Sequence, residues 1–512
     1  MNEYRIFQDD DGDDNRKLSP TRGYCNNDTV DKLSEEAMYS ALVKALRESL
    51  FREKFDDPDN VANDIAYTFS VPRSLWPSAN GGTVDHGGDS LTFGVTRFQY
   101  MFWIQLVSIV FMETILNISI ALVAYRFIVL PRQRQRQASQ GTYKPNGLTP
   151  LLLGYGILCP ILVVVPFVLI RLFRLSNSAM LVGTTSAPCL LFFRCLEAMY
   201  DTVPNYVLQT GEESGHKATR ATTKHCEENP RNQQSMYITY CAATVQFDFD
   251  ISKQQPIRIT TRYAIQQSLK FARLFLEVSL FFSILIPCDY KVFPSRREAT
   301  DVASYFLDLF YWGNLLNNWV LAYLTSICLE AGSVGVGLAT SIVSGYVTVN
   351  LNNWPLLASS SPSDFWGKRW NTLISSALKR GVFRPMRQGG FSRSIAALAT
   401  FVASGVLHEY ILIVMMAGYP GGVIHASHSL FDLLVGKHLL FFSWNGIVLV
   451  LEHFFYDIRP IQWIKRNIPA IVRSQLVVLT VLPVAHLFTD AYVDNGFYSS
   501  FAMGFPRLVR LR

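Results

Sequence analysis

The stretch SGVLHEYILIVMM, residues 404–416, places two ionisable side chains, His408 and Glu409, inside an apolar run. An ionisable residue deep in a membrane helix usually faces the bundle interior or a watery cavity, so His408 is a candidate functional residue. A neutral imidazole in such a place can accept a proton. The alternative is a structural histidine that hydrogen-bonds a neighbouring helix.

Two neighbours of His408 bear on its role. Ser404 lies one helical turn earlier on the same face, where its hydroxyl is a candidate to orient the imidazole. Glu409 points about 100° around the helix from His408, so we expect it to pair with a basic group elsewhere. A structural ion pair or a protonated acid is therefore the preferred interpretation of Glu409.

The sequence offers few routes to other chemistry. It contains no nucleophile elbow, P-loop, dinucleotide fingerprint or haem attachment motif, which removes most cofactor-dependent reactions. Its eight cysteines have no paired spacing, and no Cys or His pair has zinc-site spacing, so we expect neither a cofactor nor a metal. Acyl transfer to a hydroxyl needs only a base, two positioned substrates and a polar group for the oxyanion.

Apolar windows of span length recur along the chain and indicate a membrane protein. Hydrophobic residues make up 49% of the sequence, and about 20 apolar residues cross a bilayer core. Because lipid offers the backbone no hydrogen bonds, these windows predict an all-α polytopic membrane protein with eight to ten crossings. The first window is either one tilted helix or a broken one. The windows are 102–130, 148–172, 178–197, 268–288, 302–328, 332–349, 394–418, 430–452 and 470–490.

Charge divides the chain into two regions. Residues 1–96 carry 18 acidic and 10 basic side chains, whereas the remainder carries 36 basic and 22 acidic ones. We therefore predict an acidic, largely disordered region over 1–97, with a short amphipathic helix from Ser34, and a membrane-embedded domain over 98–512. The positive charge is scattered between spans, which is typical of cytoplasmic membrane surfaces and argues against a nucleic-acid partner.

The segment 351–388 differs from the spans around it. It mixes tryptophan with lysine and arginine and has apolar residues at helical spacing. That composition predicts a helix lying in the membrane interface, directly before the helix that carries His408.

Four strings carry a resemblance to a known family: NNWPLL at 352–357, SPSDFWGKRWN at 361–371, LKRGVFRP at 378–385 and ATFVASGVLHEY at 399–410. Together they resemble the membrane-bound O-acyltransferase (MBOAT) superfamily, and most closely its wax-synthase-like branch of long-chain-alcohol O-fatty-acyltransferases. The likeness is strong over about 350–455, diffuse over the earlier spans and absent from the acidic N-terminal region.

The resemblance implies a horseshoe of membrane helices around a tunnel in the endoplasmic reticulum membrane. Acyl-CoA would enter it from the cytosol as a co-substrate and a lipophilic alcohol from the bilayer, and the product would be a wax ester. His408 matches the family's catalytic histidine, and Asn371 matches the polar partner that orients the thioester carbonyl or stabilises its oxyanion. Candidates for contacting acyl-CoA are Lys368, Arg369, Trp370, Arg380, Arg384 and Arg387.

Two departures from the family pattern leave the acceptor open. The acidic extension and the long polar loop at 202–258 are not features of compact wax synthases. Diacylglycerol or a sterol is therefore the alternative acceptor, and a homo-oligomer is left open. A non-enzymatic membrane transporter is the alternative from another class, although no internal repeat supports it.

Overall fold

The structure is a computed structural model that describes residues 65–72, 90–138, 148–173, 175, 177–204, 207, 230–250, 255–296, 302–417 and 436–511. Its chain divides into two compact units. The first comprises Met1–Phe98, Glu277–Leu324 and Phe505–Arg512, and the second comprises Gln99–Leu276 and Thr325–Gly504. All candidate site residues belong to the second unit.

The first unit contains a small antiparallel sheet that the sequence analysis did not predict. Its strands are β1 (Ile65–Pro72), β2 (Ser90–Thr96) and β5 (Leu508–Leu511), with β2 in the middle. Phe69 pairs with Phe93 across β1 and β2, and their rings stack with centroids 5.7 Å apart. The helix predicted from Ser34, and most of the region predicted to be disordered, lie outside the described residues.

Helices dominate the rest of the described chain. In its first part, α1 (Tyr100–Ala124) is joined by a π-helical turn at Tyr125–Val129 to α2 (Leu130–Ala138), and α3 (Leu148–Leu153) by a π turn at Gly154–Leu158 to α4 (Cys159–Phe173). The helices that follow are α5 (Ser178–Met199), α6 (Pro230–Ala242), α7 (Thr261–Leu285), α8 (Val302–Leu309) and α9 (Trp312–Ser344). A two-residue pair, β3 (Phe249–Asp250) and β4 (Gln255–Pro256), lies between α6 and α7.

The second half of the chain holds the candidate site. Its elements are α10 (Pro355–Ala358), α11 (Pro362–Asp364), a π turn at Phe365–Arg369, α12 (Thr372–Leu378), a π turn at Lys379–Phe383, α13 (Arg384–Gln388), α14 (Arg393–Ala417), α15 (Lys437–Phe455), α16 (Arg459–Asn467), α17 (Ala470–Leu479), α18 (His486–Asp494) and α19 (Phe497–Ala502).

The spans confirm an all-α polytopic membrane protein but change the predicted number. Among the described residues, seven helices are long and apolar enough to cross a membrane, or eight if the bent pair Ala470–Val484 and His486–Asp494 is one span. The prediction of eight to ten is met only by counting that pair. Windows 302–328 and 332–349 were wrong as separate spans, because Trp312–Ser344 is one helix that continues through its glycines without a proline. The first window forms one continuous helix.

The segment 351–388 is helical but not as the single helix predicted from its spacing. It forms short pieces because Pro355 and Pro362 each start a new turn and because Trp354 and Asn371 adopt left-handed backbone conformations, with φ of 50° and 39°. Its placement at the membrane interface stays a prediction. The broken path lets the segment pack against α15, where Ser363 donates to Glu452, and against α17, where the Ser359 N–H donates to the Ser474 hydroxyl.

Helices α14 and α15 pack closely. A Cβ added at Gly405 would lie 2.8 Å from the Cα of Leu439, and one at Gly446 would lie 3.0 Å from the Cβ of Phe401. Real Cβ atoms do not approach other atoms so closely, so glycine at these positions lets the two backbones come together. This packing fixes the position of the α14 turn that carries His408.

Candidate active site

His408 lies in an aromatic pocket built by three helices. Its partly buried ring stacks on Phe442 of α15, with centroids 4.8 Å apart and ring planes 3° apart. Phe488 of α18 meets the same ring edge-on at 5.1 Å and 86°. Offset stacking and edge-to-face packing are the favoured aromatic geometries. The imidazole is therefore held by apolar surfaces on two sides, while its nitrogens remain in the ring plane for polar contacts.

The hydrogen-bonding partner of His408 in the described structure is Tyr492, and not Ser404 as expected. The Tyr492 hydroxyl lies 3.5 Å from His408 Nδ1, and Tyr492 is 6% exposed. A 59° bend between α17 and α18 turns Tyr492 toward α14. The bend follows from Pro483 in the short 3₁₀ turn Leu482–Val484, since proline cannot continue the hydrogen-bond ladder. Ser404 is buried one turn before His408.

A second histidine, His438, lies beside the first. It is fully buried, and its ring centroid is 6.0 Å from that of His408. Its Nε2 lies 3.2 Å from the backbone oxygen of Phe488. Because a carbonyl oxygen only accepts hydrogen bonds, this contact places the proton of a neutral His438 on Nε2. The same ring stacks on Tyr492, with centroids 5.5 Å apart and planes 18° apart.

Glu409 caps the helix that carries His438. Its Oε1 accepts the backbone N–H of His438 at 2.7 Å and that of Leu439 at 3.3 Å. The N-cap residue, Gly436, has no side chain to satisfy these donors, and the positive end of the helix dipole favours a carboxylate there. The partner of Glu409 is thus a helix N-terminus, not the basic side chain that the sequence suggested.

Asn371 has a structural role as the N-cap of a helix. Its Oδ1 accepts the backbone N–H of Ile374 at 3.3 Å and so caps α12, while its backbone N–H donates to Oδ1 of Asn352 at 2.9 Å. The side chain of Asn352 in turn donates to the backbone oxygen of Ser326. The cap uses the oxygen of the Asn371 amide and leaves its Nδ2 as the donor. His408 and Asn371 therefore have separate sets of protein partners.

Trp366 joins the 361–369 turn to the aromatic pocket. Its Nε1 donates to Oδ1 of Asn445 at 3.3 Å. Its ring meets that of Phe442, which stacks on His408, at a centroid distance of 6.0 Å. Trp370, whose contact with acyl-CoA stays a prediction, stacks on Phe365 with ring centroids 5.5 Å apart and planes 17° apart. The tryptophans thus set the position of this turn relative to α15.

Arg369 stabilises the same turn. Its Nε donates to Asp364 Oδ2 at 2.7 Å, and its guanidinium also donates to the backbone oxygen of Asn353 at 3.2 Å. Burial raises the pKa of Asp364, but the hydrogen bonds from Arg369 and Ser360 outweigh it and hold that pKa below its ordinary value of 3.8. Ser363 fastens the turn to α15 by donating its N–H and its hydroxyl to Glu452, at 2.8 and 2.9 Å.

Arg380 is part of a buried ion pair. Its Nε donates to Glu197 Oε1 at 3.1 Å, and the Glu197 side chain is fully buried. The hydroxyl of Tyr240 donates to the other oxygen of Glu197 at 2.6 Å and accepts from Arg380 at 3.0 Å. Arg194 lies 4.6 Å from the Tyr240 ring centroid. This network joins the 379–383 turn to α5 and α6.

The other predicted phosphate contacts are more accessible. Lys368 is exposed and Arg384 is partly buried. Arg387 is exposed and donates to the backbone oxygen of Phe391 at 2.6 Å. Lys368 and Arg387 therefore present positive charge to the solvent, whereas Arg369 and Arg380 are held by protein carboxylates.

Sequence reasoning missed most of the pocket around His408. The sequence analysis did not single out His438, and Phe442, Phe488 and Tyr492 carry no signal that distinguishes them from other apolar residues of their spans. The one available signal is a histidine within an apolar window, which His438 shares with His408. Only the bend between α17 and α18 brings Tyr492 to the site.

Comparisons with known proteins match part of the chain that holds the candidate site. Residues 351–431 match the model of the "Membrane bound O-acyl transferase family". This matched segment contains Asn371, His408, Glu409 and the whole 361–369 turn.

Curated relatives from Arabidopsis thaliana cover part of the chain. They include "Probable long-chain-alcohol O-fatty-acyltransferase 9", 41% identical over 66 residues, which are 12% of this chain and 19% of the relative. "Acyl-CoA--sterol O-acyltransferase 1" is 41% identical over 69 residues, 12% of this chain and 20% of the relative. "Probable long-chain-alcohol O-fatty-acyltransferase 2" is 26% identical over 169 residues, 32% and 44% of the two chains.

The chain thus spans about a fifth of the length of the first two relatives and less than half of the third. The match over residues 351–431, on the turn and helix that hold Asn371 and His408, makes this part of the chain similar to the membrane-bound O-acyltransferase family, and the relatives place the similarity with its wax-synthase-like branch.

Proposed function

We propose that the chain is an acyl-CoA-dependent O-acyltransferase that transfers a fatty acyl group to a long-chain alcohol and so makes a wax ester. The observation that carries the proposal is the position of His408. It is an imidazole inside a family-matched apolar helix, enclosed by aromatic rings, with one nitrogen facing Tyr492. A base that is kept neutral in an apolar pocket suits a fat-soluble alcohol.

The reaction requires one proton to be moved twice. His408 accepts the hydroxyl proton while the alcohol oxygen attacks the thioester carbonyl, and a C–O bond forms. The tetrahedral intermediate collapses as the C–S bond breaks. The coenzyme A thiolate then takes the proton from His408, so the base is regenerated. This direct transfer needs no acyl-enzyme intermediate and no metal ion.

Asn371 suits the role of oxyanion donor through its amide nitrogen. The N-cap contact with Ile374 occupies Oδ1 and fixes the plane of the amide. Because Nδ2 is then the side-chain atom left to donate, a developing oxyanion is a matching partner for it. The cap and the catalytic role use different atoms, so Asn371 can perform both at once.

The phosphates of coenzyme A would meet the exposed cations of the 361–388 segment. Lys368 and Arg387 are exposed and suit a mobile anionic donor. Arg369 and Arg380 are better explained as structural residues, because each is paired with a carboxylate of the protein. Arg384 is partly buried, and we assign it neither to the exposed phosphate contacts nor to the structural residues.

A sterol is the second candidate acceptor. "Acyl-CoA--sterol O-acyltransferase 1" and "Probable long-chain-alcohol O-fatty-acyltransferase 9" are each 41% identical to this chain, over 69 and 66 residues. The matched segment therefore supports acyl transfer to a hydroxyl without discriminating between a linear alcohol and a sterol. The similarity of residues 351–431 to O-acyltransferases argues against the transporter alternative.

The test is ester formation in microsomal membranes that contain the protein. Labelled acyl-CoA is offered with long-chain alcohols, a sterol and diacylglycerol, and we expect wax ester to be the main product. His408→Ala should abolish it at unchanged protein abundance. His453→Ala, which changes a histidine of α15 outside the pocket, should retain the wild-type rate.

The outcomes separate the alternatives. If a sterol ester is the main product, the acceptor is a sterol and not a long-chain alcohol. If triacylglycerol is the main product, the acceptor is diacylglycerol. If the wild type forms no ester with any acceptor, the enzyme proposal fails. The endoplasmic reticulum, the compartment we propose, is checked by fractionation of the same membranes.

A further inference from the structure

We infer that Tyr492 and His438 are positioning residues for His408: Tyr492 accepts a hydrogen bond from Nδ1–H of His408, which leaves Nε2 as the base, and His438 holds Tyr492 in place. The inference rests on the proposed function for its catalytic meaning. Neither residue lies in the segment 351–431 that matches the family.

The first step concerns the two nitrogens of His408. In a neutral imidazole one nitrogen carries hydrogen and the other accepts. Nδ1 lies 3.5 Å from the Tyr492 hydroxyl. If the hydroxyl donated to Nδ1, the hydrogen of His408 would be on Nε2, and neither nitrogen could take a substrate proton. If the hydroxyl accepts from Nδ1–H, Nε2 is bare. Only the second arrangement gives a base.

The contact between Tyr492 and Nδ1 of His408 also persists after His408 has taken the substrate proton. An imidazolium donates from both nitrogens, so Nδ1–H continues to donate to the phenol oxygen while Nε2–H faces the substrate. Buried ligating and catalytic histidines are commonly oriented in this way by a partner on their second nitrogen. In this pocket a neutral phenol takes the place of the carboxylate that often fills that role.

The second step concerns His438, which contacts two points one helical turn apart on α18. Its Nε2–H donates to the backbone oxygen of Phe488, and its ring stacks on Tyr492. A hydrogen bond at one end of the turn and a stacked ring at the other fix both the translation and the rotation of that turn. The Tyr492 hydroxyl is thereby directed at His408.

The third step closes the contacts into a ring. Glu409, the residue after His408, accepts the backbone N–H of His438 at 2.7 Å. Contacts therefore run from His408 through Glu409 and His438 to Tyr492 and back to Nδ1 of His408, across α14, α15 and α18. Simple aromatic packing would not require a buried histidine with a backbone acceptor, or a phenol hydroxyl that faces an imidazole nitrogen.

Tyr492→Phe is the direct test, because it keeps the ring that stacks on His438 and removes only the hydroxyl. We expect kcat to fall roughly tenfold or more, with KM for acyl-CoA changed less than about twofold, since substrate binding is not touched. Tyr410→Phe is the matched control. It removes a hydroxyl from α14 that donates to the backbone oxygen of Val163 at 2.7 Å, and it should retain kcat within about twofold.

A tautomer measurement does not depend on activity. In ¹⁵N NMR spectra of histidine-labelled protein in nanodiscs, with His408 assigned by its loss in His408→Gln, the wild type should show hydrogen on Nδ1. Tyr492→Phe should shift a measurable fraction to Nε2–H. His438→Phe should lower kcat in the same direction, and the double variant should be no slower than Tyr492→Phe, since both changes act through one hydroxyl.

Two results would overturn the inference: hydrogen on Nε2 of His408 in the wild type, or a Tyr492→Phe enzyme with at least half of the wild-type kcat. Failure of the proposed function gives a different pattern. In that case the wild type forms no ester, while the NMR spectra still report which nitrogen of His408 carries hydrogen.

Discussion

Oε1 of Glu409 lies 2.7 Å from the backbone nitrogen of His438, so the residue next to the proposed base caps the helix that packs against it. The two ionisable residues of the HE pair in α14 therefore have different tasks. His408 faces the aromatic pocket, and Glu409 joins α14 to the N-terminus of α15. A contact of this kind explains why a carboxyl group is retained in an apolar helix.

Replacing Glu409 should reduce stability before it affects chemistry. Glu409→Ala removes the cap and should lower the free energy of unfolding by about 1–2 kcal/mol. Glu409→Gln keeps an acceptor oxygen and should lose only the interaction of the charge with the helix dipole, about 0.3–1 kcal/mol. Thermal unfolding of the detergent-purified protein measures both. Equal melting temperatures for wild type and Glu409→Ala would contradict the cap.

Asn371→Asp separates the two tasks of Asn371. Aspartate keeps the oxygen that caps α12 and is as good an N-cap as asparagine, but it has no Nδ2 donor. We expect wild-type abundance and melting temperature with a loss of about 10²–10³ in kcat. Asn371→Ala should lose the cap as well and unfold at lower temperature. A rate loss below about threefold in Asn371→Asp would leave Asn371 with the capping role alone.

Arg380→Gln should act on stability. It leaves Glu197 fully buried without its charged partner, and removing one member of a buried pair costs about 3–5 kcal/mol. The melting temperature should therefore fall strongly, with KM for acyl-CoA unchanged in the protein that remains folded. A raised KM for acyl-CoA at an unchanged melting temperature would show that Arg380 contacts a phosphate of coenzyme A and is not primarily structural.

Lys368→Gln should weaken acyl-CoA binding and leave stability unchanged, the reverse of what we expect for Arg380→Gln. Lys368 is exposed, and surface substitutions usually change stability by less than about 0.5 kcal/mol. If Lys368 meets a phosphate of coenzyme A, KM for acyl-CoA should rise several-fold, and the rise should diminish with added salt because exposed charges are screened. An unchanged KM at low salt would exclude that contact.

Acid should weaken the 361–369 turn. The pKa of Asp364 lies below its ordinary value of 3.8, so its ionised form stabilises the folded state fully above about pH 4. That contribution is lost as the pH falls through the folded-state pKa. The melting temperatures of wild type and Asp364→Asn should therefore differ at neutral pH and converge below pH 3.8. A difference that stays constant with pH would show that ionisation of Asp364 is irrelevant.

Much of the membrane architecture could be predicted from sequence. Long apolar windows predict spans because the bilayer core sets their length, and seven of the nine windows correspond to helices long enough to span or to the bent pair. The two windows between 302 and 349 were divided wrongly at 329–331, where the charged Glu330 interrupts the apolar run. In the structure Glu330 pairs with Lys270 at 2.6 Å, and the helix continues through it. The strands β1 and β2 were also missed; they pair with each other, and β2 pairs in addition with β5, which lies more than 400 residues away in the sequence.

The candidate site was predicted only in part. His408 stands out because it is an ionisable residue in an apolar span. Asn371 stands out because it ends the string SPSDFWGKRWN, which resembles the family. Their partners do not stand out, because Tyr492 and Phe442 are ordinary aromatic residues until the bend at Pro483 and the close packing at Gly405 bring them together. Arg380 looks like a phosphate contact in the sequence, since its partner Glu197 is on a helix 183 residues earlier.

The cap formed by Glu409 also bears on how the protein is made. A ribosome completes α14 before it begins α15, so the Glu409 carboxyl group reaches the translocation machinery before the N–H groups that satisfy it exist. An acidic residue without a partner makes insertion of a helix into lipid less favourable. We therefore expect stable integration of α14 to require the arrival of α15, and the pocket around His408 to be assembled only after both helices are in the membrane.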